Sequence, residues 1–106
     1  MEISILYVTA PTREVALSLA KTLVSERLIA CGNILDQVTS VYRWQNEIQT
    51  ESEAVLILKT RCELINTVTE RIKSLHPYEC PCVVALKSQQ GNSAFFDWVN
   101  AETHPE

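Results

Sequence analysis

The chain has 106 residues, 46% apolar and 21% charged, which predicts one globular domain over 1–106 and excludes a disordered chain. Its net charge is −4, and its nine basic residues are scattered from Arg13 to Lys87, so the basic footprint of a nucleic-acid partner is absent. No basic region precedes the short apolar run at the N-terminus and no run approaches spanning length, which predicts a cytoplasmic protein with no membrane partner.

Ile3 to Val8 is an apolar, β-branched run broken only by Ser4, and it predicts a central strand buried on both faces. Thr9-Ala10-Pro11-Thr12 stops it. Thr12 is placed to N-cap a helix from Arg13 to about Leu28, with Glu14 in the first turn and Val15, Ala16, Leu19, Ala20 and Leu23 as its apolar stripe. Cys31-Gly32-Asn33 reads as the next turn, with Gly32 in the left-handed position that ends the helix. Asn33 to Trp44 reads as a long strand, with Val38, Ser40, Tyr42 and Trp44 on one face and Leu35, Gln37, Thr39, Val41 and Arg43 on the other. Gln45-Asn46 turns the chain, and Glu47 to Lys59 runs back as the third strand.

Thr60-Arg61-Cys62-Glu63 has the spacing of a capping box, with Thr60 as N-cap. Ile65, Val68, Ile72 and Leu75 then give one buried helical face that stops at His76-Pro77, because a proline drives the residue before it out of the α region. Cys82 to Lys87 is the fourth strand, Gln89 to Gly91 a turn, and Asn92 the cap of a short helix carrying Phe95, Phe96, Trp98 and Val99. Ala101 to Glu106 reads as a frayed polar tail. The order strand, helix, strand, strand, helix, strand, with a terminal helix added, is that of an α+β, ferredoxin-like fold. It predicts a four-stranded antiparallel sheet with both main helices on one face.

The hairpin is too long for a compact domain of this size. Residues 33 to 44 at ~3.3 Å each extend about 40 Å, against roughly 33 Å for the whole domain. The ribbon therefore bends or protrudes, and Tyr42 and Trp44 on its outer half, with the open sheet edges, call for a partner. A homo-oligomer is expected.

Chemistry concentrates in His76-Pro77-Tyr78-Glu79-Cys80-Pro81-Cys82, a corner held stiff by two prolines. Two readings stand: a connector with a solvated Glu79, or a site. The four cysteines, Cys31, Cys62, Cys80 and Cys82, are expected as thiols. His76, Cys80 and Cys82 offer soft donors suited to Cu(I) or Zn(II), although two thiols at this spacing are as readily small apolar residues. Cys62, beside Arg61 at a helix start, is expected to have a lowered thiol pKa. With only Gly32 and Gly91, no glycine-rich phosphate loop is available. No Ser/His/Asp set or paired-carboxylate spacing occurs, so an enzyme is not expected.

Taken in order, Val8-Thr9-Ala10-Pro11, Leu28-Ile29-Ala30-Cys31-Gly32-Asn33-Ile34, Tyr42-Arg43-Trp44, Lys59-Thr60, His76-Pro77-Tyr78-Glu79 with Pro81, and Gly91-Asn92 followed by Asp97-Trp98 resemble the CutA divalent-cation-tolerance proteins. The resemblance runs nearly end to end. It implies a ferredoxin-like fold, a homotrimer whose long hairpins pair between subunits, an architecture similar to the PII signalling proteins and a link to copper tolerance. This chain departs from the family pattern at Cys82, where an acidic residue is usual, and at Phe96, where Tyr is common. Val8 and Leu75 stand where copper-associated members carry Cys and a second His, so of that set only His76 matches.

Two functions remain open at this stage. One is a cation-tolerance protein binding copper or another soft metal weakly through His76, Cys80 and Cys82. The other is a PII-like trimer with no obligatory cofactor, in which Tyr42, Trp44, Lys59, Tyr78 and Glu79 converge on a ligand pocket or an intersubunit network.

Overall fold

A computed structural model describes residues 2–104. In chain order it contains β1 (Ile3–Ala10), α1 (Arg13–Ser25), β2 (Cys31–Trp44), β3 (Glu47–Arg61), a single 3-10 turn (Cys62–Leu64), α2 (Ile65–Leu75), β4 (Val83–Ser88) and α3 (Ser93–Glu102). The four strands make one sheet in the order β2-β3-β1-β4, with every neighbouring pair antiparallel. This is the α+β, ferredoxin-like arrangement expected from the order of elements. No helix among the described residues is long and apolar enough to cross a membrane.

Alternation on the central strand decides where the core sits. Leu6, Val8 and Ala10 of β1 point to the face covered by α1 and α2, and they pack with Leu19, Leu23, Leu56, Leu58, Val68 and Ile72 in one buried cluster. The opposite face is covered only at its Ile3 end, where α3 brings Phe96 and Val99 against Ile3 and Ala30. The expectation that β1 is buried on both faces therefore fails beyond Ile3: Tyr7 is 42% exposed, and Leu35, Val84 and Leu86 lie bare around it on the same face.

Local chemistry explains the boundaries. Thr12 caps α1 as expected, its Oγ1 accepting from the Val15 amide at 3.1 Å. The helix stops at Ser25, earlier than Leu28, because Arg27 turns left-handed at φ 60°. The Arg27 amide then donates to Val24 and the Leu28 amide to Leu23, each at 3.0 Å, in a Schellman closure. Arg27 is held there by donating to the Ala101 and Glu102 carbonyls of α3 at 3.0 and 3.2 Å. Gly32 thus plays no part in ending the helix and lies within β2, as do Cys31 and Asn33. It is small for a different reason, since a Cβ there would meet Leu58 Cδ2 at 2.9 Å and Ala20 Cβ at 3.6 Å.

The capping box at Thr60 is not formed. Thr60 belongs to β3, and its buried Oγ1 donates to the Leu28 carbonyl at 2.6 Å, so α2 is entered instead through the 3-10 turn. The helix ends at His76, whose ψ of 139° is the extended geometry that Pro77 imposes. β4 begins at Val83, leaving Cys82 in the corner. At the far end Asn92 Oδ1 accepts from the Ala94 amide at 3.0 Å. α3 runs on through Ala101 and Glu102 to a buried Thr103, which accepts from Arg61 Nε at 2.9 Å, so the expected tail is structured there. Its last two residues, 105 and 106, lie outside the described residues.

The hairpin protrudes. Gln45 and Asn46 both take positive φ, 51° and 68°, the two-residue turn that matches strand twist, and the molecule reaches 44 × 27 × 22 Å. Between Leu35 and Val38 the pairing register shifts by one residue, with Gln37 at φ 57°. This bulge carries Leu35 onto the same face as Val38, Ser40, Tyr42 and Trp44, where simple alternation had separated them.

Candidate functional site: a carboxylate and aromatic cleft

The site is built where the corner after α2 folds back on the middle of the hairpin. His76 is 8% exposed, and both of its ring nitrogens are engaged. Nε2 donates to the Thr9 carbonyl at 2.7 Å, and Nδ1 accepts from the Tyr78 amide at 3.1 Å. A carbonyl can only accept and an amide N–H only donate, so the proton lies on Nε2. The imidazole thereby clamps the corner to the end of β1, and the Tyr78 ring packs against it with centroids 4.7 Å apart.

Tyr78 in turn reaches β3, its hydroxyl donating to Glu53 Oε2 at 2.8 Å. Glu53 is 8% exposed. Burial first, and then the hydrogen bond to Glu53 and that carboxylate's charge, push the Tyr78 phenol well above its ordinary range, so it stays a donor. Tyr42 is raised in the same direction by partial desolvation and the neighbouring Glu51 and Glu53. Cys82 is raised by burial, then by Glu53 and Cys80, so its thiol resists becoming the thiolate that metals and electrophiles need.

Together these groups wall a cleft of about 730 Å³ between the corner and the outer hairpin. Four of the five residues expected to converge do so: Tyr42, Trp44, Tyr78 and the exposed Glu79 all line it. Lys59 does not: it lies toward the far end of β3, opposite Ile5 and Cys31, where its Nζ hydrogen-bonds Asn33 Oδ1. Cys80 and Cys82 line the cleft, while buried His76 supports it from behind. Cys62 lies elsewhere, and its thiol is raised by burial and by Glu2, against the lowered value expected. The residues that sequence reasoning missed are Glu51 and Glu53. Their signal was readable as the two-residue spacing of Glu47, Gln49, Glu51 and Glu53, which puts four polar side chains on the face shared with Tyr42 and Trp44.

Residues 4–102 match the family of the CutA1 divalent ion tolerance protein. The chain belongs to this family. It is 43% identical over 99 residues to the divalent-cation tolerance protein CutA of Thermus thermophilus, covering 93% of this chain and 96% of that one. It is 40% identical over 101 residues to Protein CutA of Mus musculus, covering 95% of this chain but only 57% of that protein. The chain thus spans a little over half the length of several curated relatives. Among solved structures, CutA1 from Oryza sativa superposes with a TM-score of 0.95 at 38% identity, covering 98% of this chain and 95% of that one.

The family is named for divalent cations, which sets a chemical requirement on the donors around the cleft. Cu(I) and Zn(II) require deprotonated thiols and an imidazole with a free lone pair. Here the Nδ1 lone pair of His76 is taken by Tyr78, the Cys82 thiol is raised, and no three His, Cys, Asp or Glu side chains among the described residues are grouped to hold an ion. The His76, Cys80 and Cys82 set expected from the sequence is therefore not assembled, and the donors do not fit a metal centre.

Proposed function

We propose that this CutA1-family chain acts as a homotrimeric, PII-like ligand-binding protein without catalytic activity or an obligatory cofactor, using the cleft between the corner and the hairpin as its binding site. The observation that carries this reading is the cleft itself: about 730 Å³, walled by aromatic rings and carboxylates that no other described residue fills. Its size is that of small-molecule sites, and it is roomy for a bare ion. Assembly is supported by the bare apolar face around Tyr7, Leu35, Val84 and Leu86 and by the hairpin that stands clear of its own domain. The number three is what family resemblance implies. Copper or another soft metal would be carried weakly at most, through Cys80 and Cys82. Light scattering coupled to gel filtration is the test of assembly. A mass three times the 12.0 kDa chain, unchanged on dilution, supports the proposal. A stable monomer overturns it.

A further inference from the structure

Resting on the reading that the chain self-associates through its bare sheet face, we infer that Lys59 of one copy enters the carboxylate cleft of the next, so that the cleft is completed between subunits. Two sets of charges that cannot meet within one chain point to it. Glu53 and Lys59 stand six residues apart on β3, an even step that places both on the same face of the sheet. At ~3.3 Å per residue they are about 20 Å apart, well beyond the span of a lysine side chain. The ion pairs among the described residues are Arg61 with Glu63, Arg71 with Glu26, and Lys73 with Glu70. None of them involves Lys59, or Glu51, Glu53 and Glu79, the three carboxylates that line the cleft. In its own chain Lys59 bonds the neutral amide of Asn33, and Glu53, more than nine-tenths buried, accepts from the neutral Tyr78 hydroxyl.

The surroundings of Lys59 make a charged partner necessary once the face is covered. Strand register sets it in one row with Cys31, Ile5 and Leu86, beside a second row of Asn33, Ile57, Tyr7 and Val84. Lys59 is the one charged residue in those two rows. Arg61, two residues on, is already spent on Thr103 and the Asn100 carbonyl under α3. When a second copy buries this apolar surface, the Lys59 ammonium loses water, and an amide alone does not offset that loss. The hairpin half of the same β3 face carries Glu47, Glu51 and Glu53 and no cation. The face is therefore polarised, with acid toward the hairpin and one cation in the apolar half. Copies stacked like end to like end would set Lys59 against Lys59 and carboxylates against carboxylates, which repel; a staggered neighbour sets Lys59 on the cleft. Passed around a ring, such a contact between unlike patches is heterologous, the form that a closed assembly of three requires. A ligand site at the cleft is then incomplete in a single chain.

The test uses the full chain in its native assembly, refolded from equal parts of natural-abundance and nitrogen-15-labelled protein. A carbodiimide, which joins an amine to a carboxylate it already touches, is applied, and the joined peptides are read by mass spectrometry. Lys59 is expected to be found coupled to Glu51, Glu53 or Glu79, with mixed light and heavy pairs among the products. In parallel, Lys59→Glu is expected to weaken assembly about thirtyfold, the lower end of the loss for stranding a desolvated charge. Adding Glu51→Lys to that variant should restore most of it, a rescue that residues so far apart in one chain can make only across copies. Lys73→Glu, beside Glu70 on α2, should assemble as wild type does. Should Lys59→Glu fail to fold, the wild-type coupling decides alone. An intact oligomer that gives no Lys59 adduct with these acids, or in which a folded Lys59→Glu assembles as tightly as wild type, overturns the pairing and leaves the assembly standing. Adducts confined to like-isotope pairs overturn it as well, by placing both residues in one chain. A monomeric wild type overturns assembly and pairing together.

Discussion

The Tyr78 hydroxyl and the Glu53 carboxylate, 25 residues apart in sequence, meet at 2.8 Å and tie the corner after α2 to the middle of β3. Glu53 is buried and has no ion-pair partner among the described residues, so this bond is a main source of its solvation. Tyr78→Phe is expected to cost about 1–3 kcal/mol, the range for stranding a buried acceptor. Urea denaturation at neutral pH measures it. An unchanged midpoint would mean that water replaces the phenol without loss.

The same phenol gives a pH dependence. Its pKa is raised in the folded state above the ordinary phenol value of 10.0, so the unfolded chain loses this proton first as pH rises. Fewer protons on the unfolded state mean that stability falls with increasing pH. The contribution is therefore fully present below pH 10.0 and is lost above it as pH climbs toward the folded-state value. Wild type should lose stability more steeply than Tyr78→Phe in that alkaline window, and parallel curves in urea titrations there would refute the assignment.

Gly32 tests the closest packing in the helix-covered layer. An added Cβ would lie 2.9 Å from Leu58 Cδ2, and Leu58 is fully buried in the core cluster, so it cannot swing aside freely. Gly32→Ala is expected to destabilise by about 1–3 kcal/mol through overpacking. A denaturation midpoint at or above that of wild type would show that the β2 backbone yields instead.

Thr60→Val keeps the shape and removes the hydroxyl that donates to the Leu28 carbonyl at 2.6 Å. The carbonyl then stays buried without that donor, at an expected cost of about 1–3 kcal/mol. Calorimetric melting should register it as a lower transition temperature, and a melt indistinguishable from wild type would contradict it.

Much of this architecture was legible from periodicity, because Leu6, Val8 and Ala10 on one strand and Val68 and Ile72 on one helix each have a single place to go. Errors arose where one residue type serves two purposes. Thr60 carries the signature of a cap yet spends its hydroxyl on Leu28, and Gly32 looks like a helix stop but answers a steric demand from Leu58. The left-handed turn fell instead to Arg27, whose side chain reaches α3, a long-range bond that no local pattern announces. The cleft was half visible. Tyr42, Trp44, Tyr78 and Glu79 stood out as aromatics and a motif acid, whereas Glu53 looked like one more surface glutamate until the corner closed over it. Lys59 was placed in the cleft by its motif, but the strand carries it away toward Cys31, where its Nζ donates to Asn33 Oδ1.

Trp44 lies on the cleft face of the protruding hairpin and is half exposed in the single chain. Trp44→Glu should weaken self-association by placing a carboxylate where an aromatic ring would be desolvated, directly across the strand pair from Glu47. Light scattering across a dilution series reads the effect, and an oligomer as resistant to dilution and heat as wild type would show that the hairpin tip stays in water.

The corner yields the most discriminating prediction. A soft metal held by His76, Cys80 and Cys82 would need a free imidazole lone pair and two thiolates. To supply them the protein would have to break the Tyr78 amide bond to Nδ1 and ionise a Cys82 thiol raised by burial and by Glu53. Freeing Nδ1 would also loosen the clamp that orients Tyr78 toward Glu53, so binding would disrupt the cleft it was meant to use. Cu(I), which accepts two ligands, could still bridge the thiols alone, but weakly at neutral pH. The expected outcome of a competition titration in reducing, anaerobic buffer is therefore that wild type and a Cys80→Ser, Cys82→Ser double variant differ by less than about tenfold in Cu(I) affinity, or 1.4 kcal/mol. Proton release on titration should likewise be small. A loss of several orders of magnitude in the double variant, with two protons released per copper bound, would restore the corner as a metal site and make the His76 clamp a contact that opens when metal arrives.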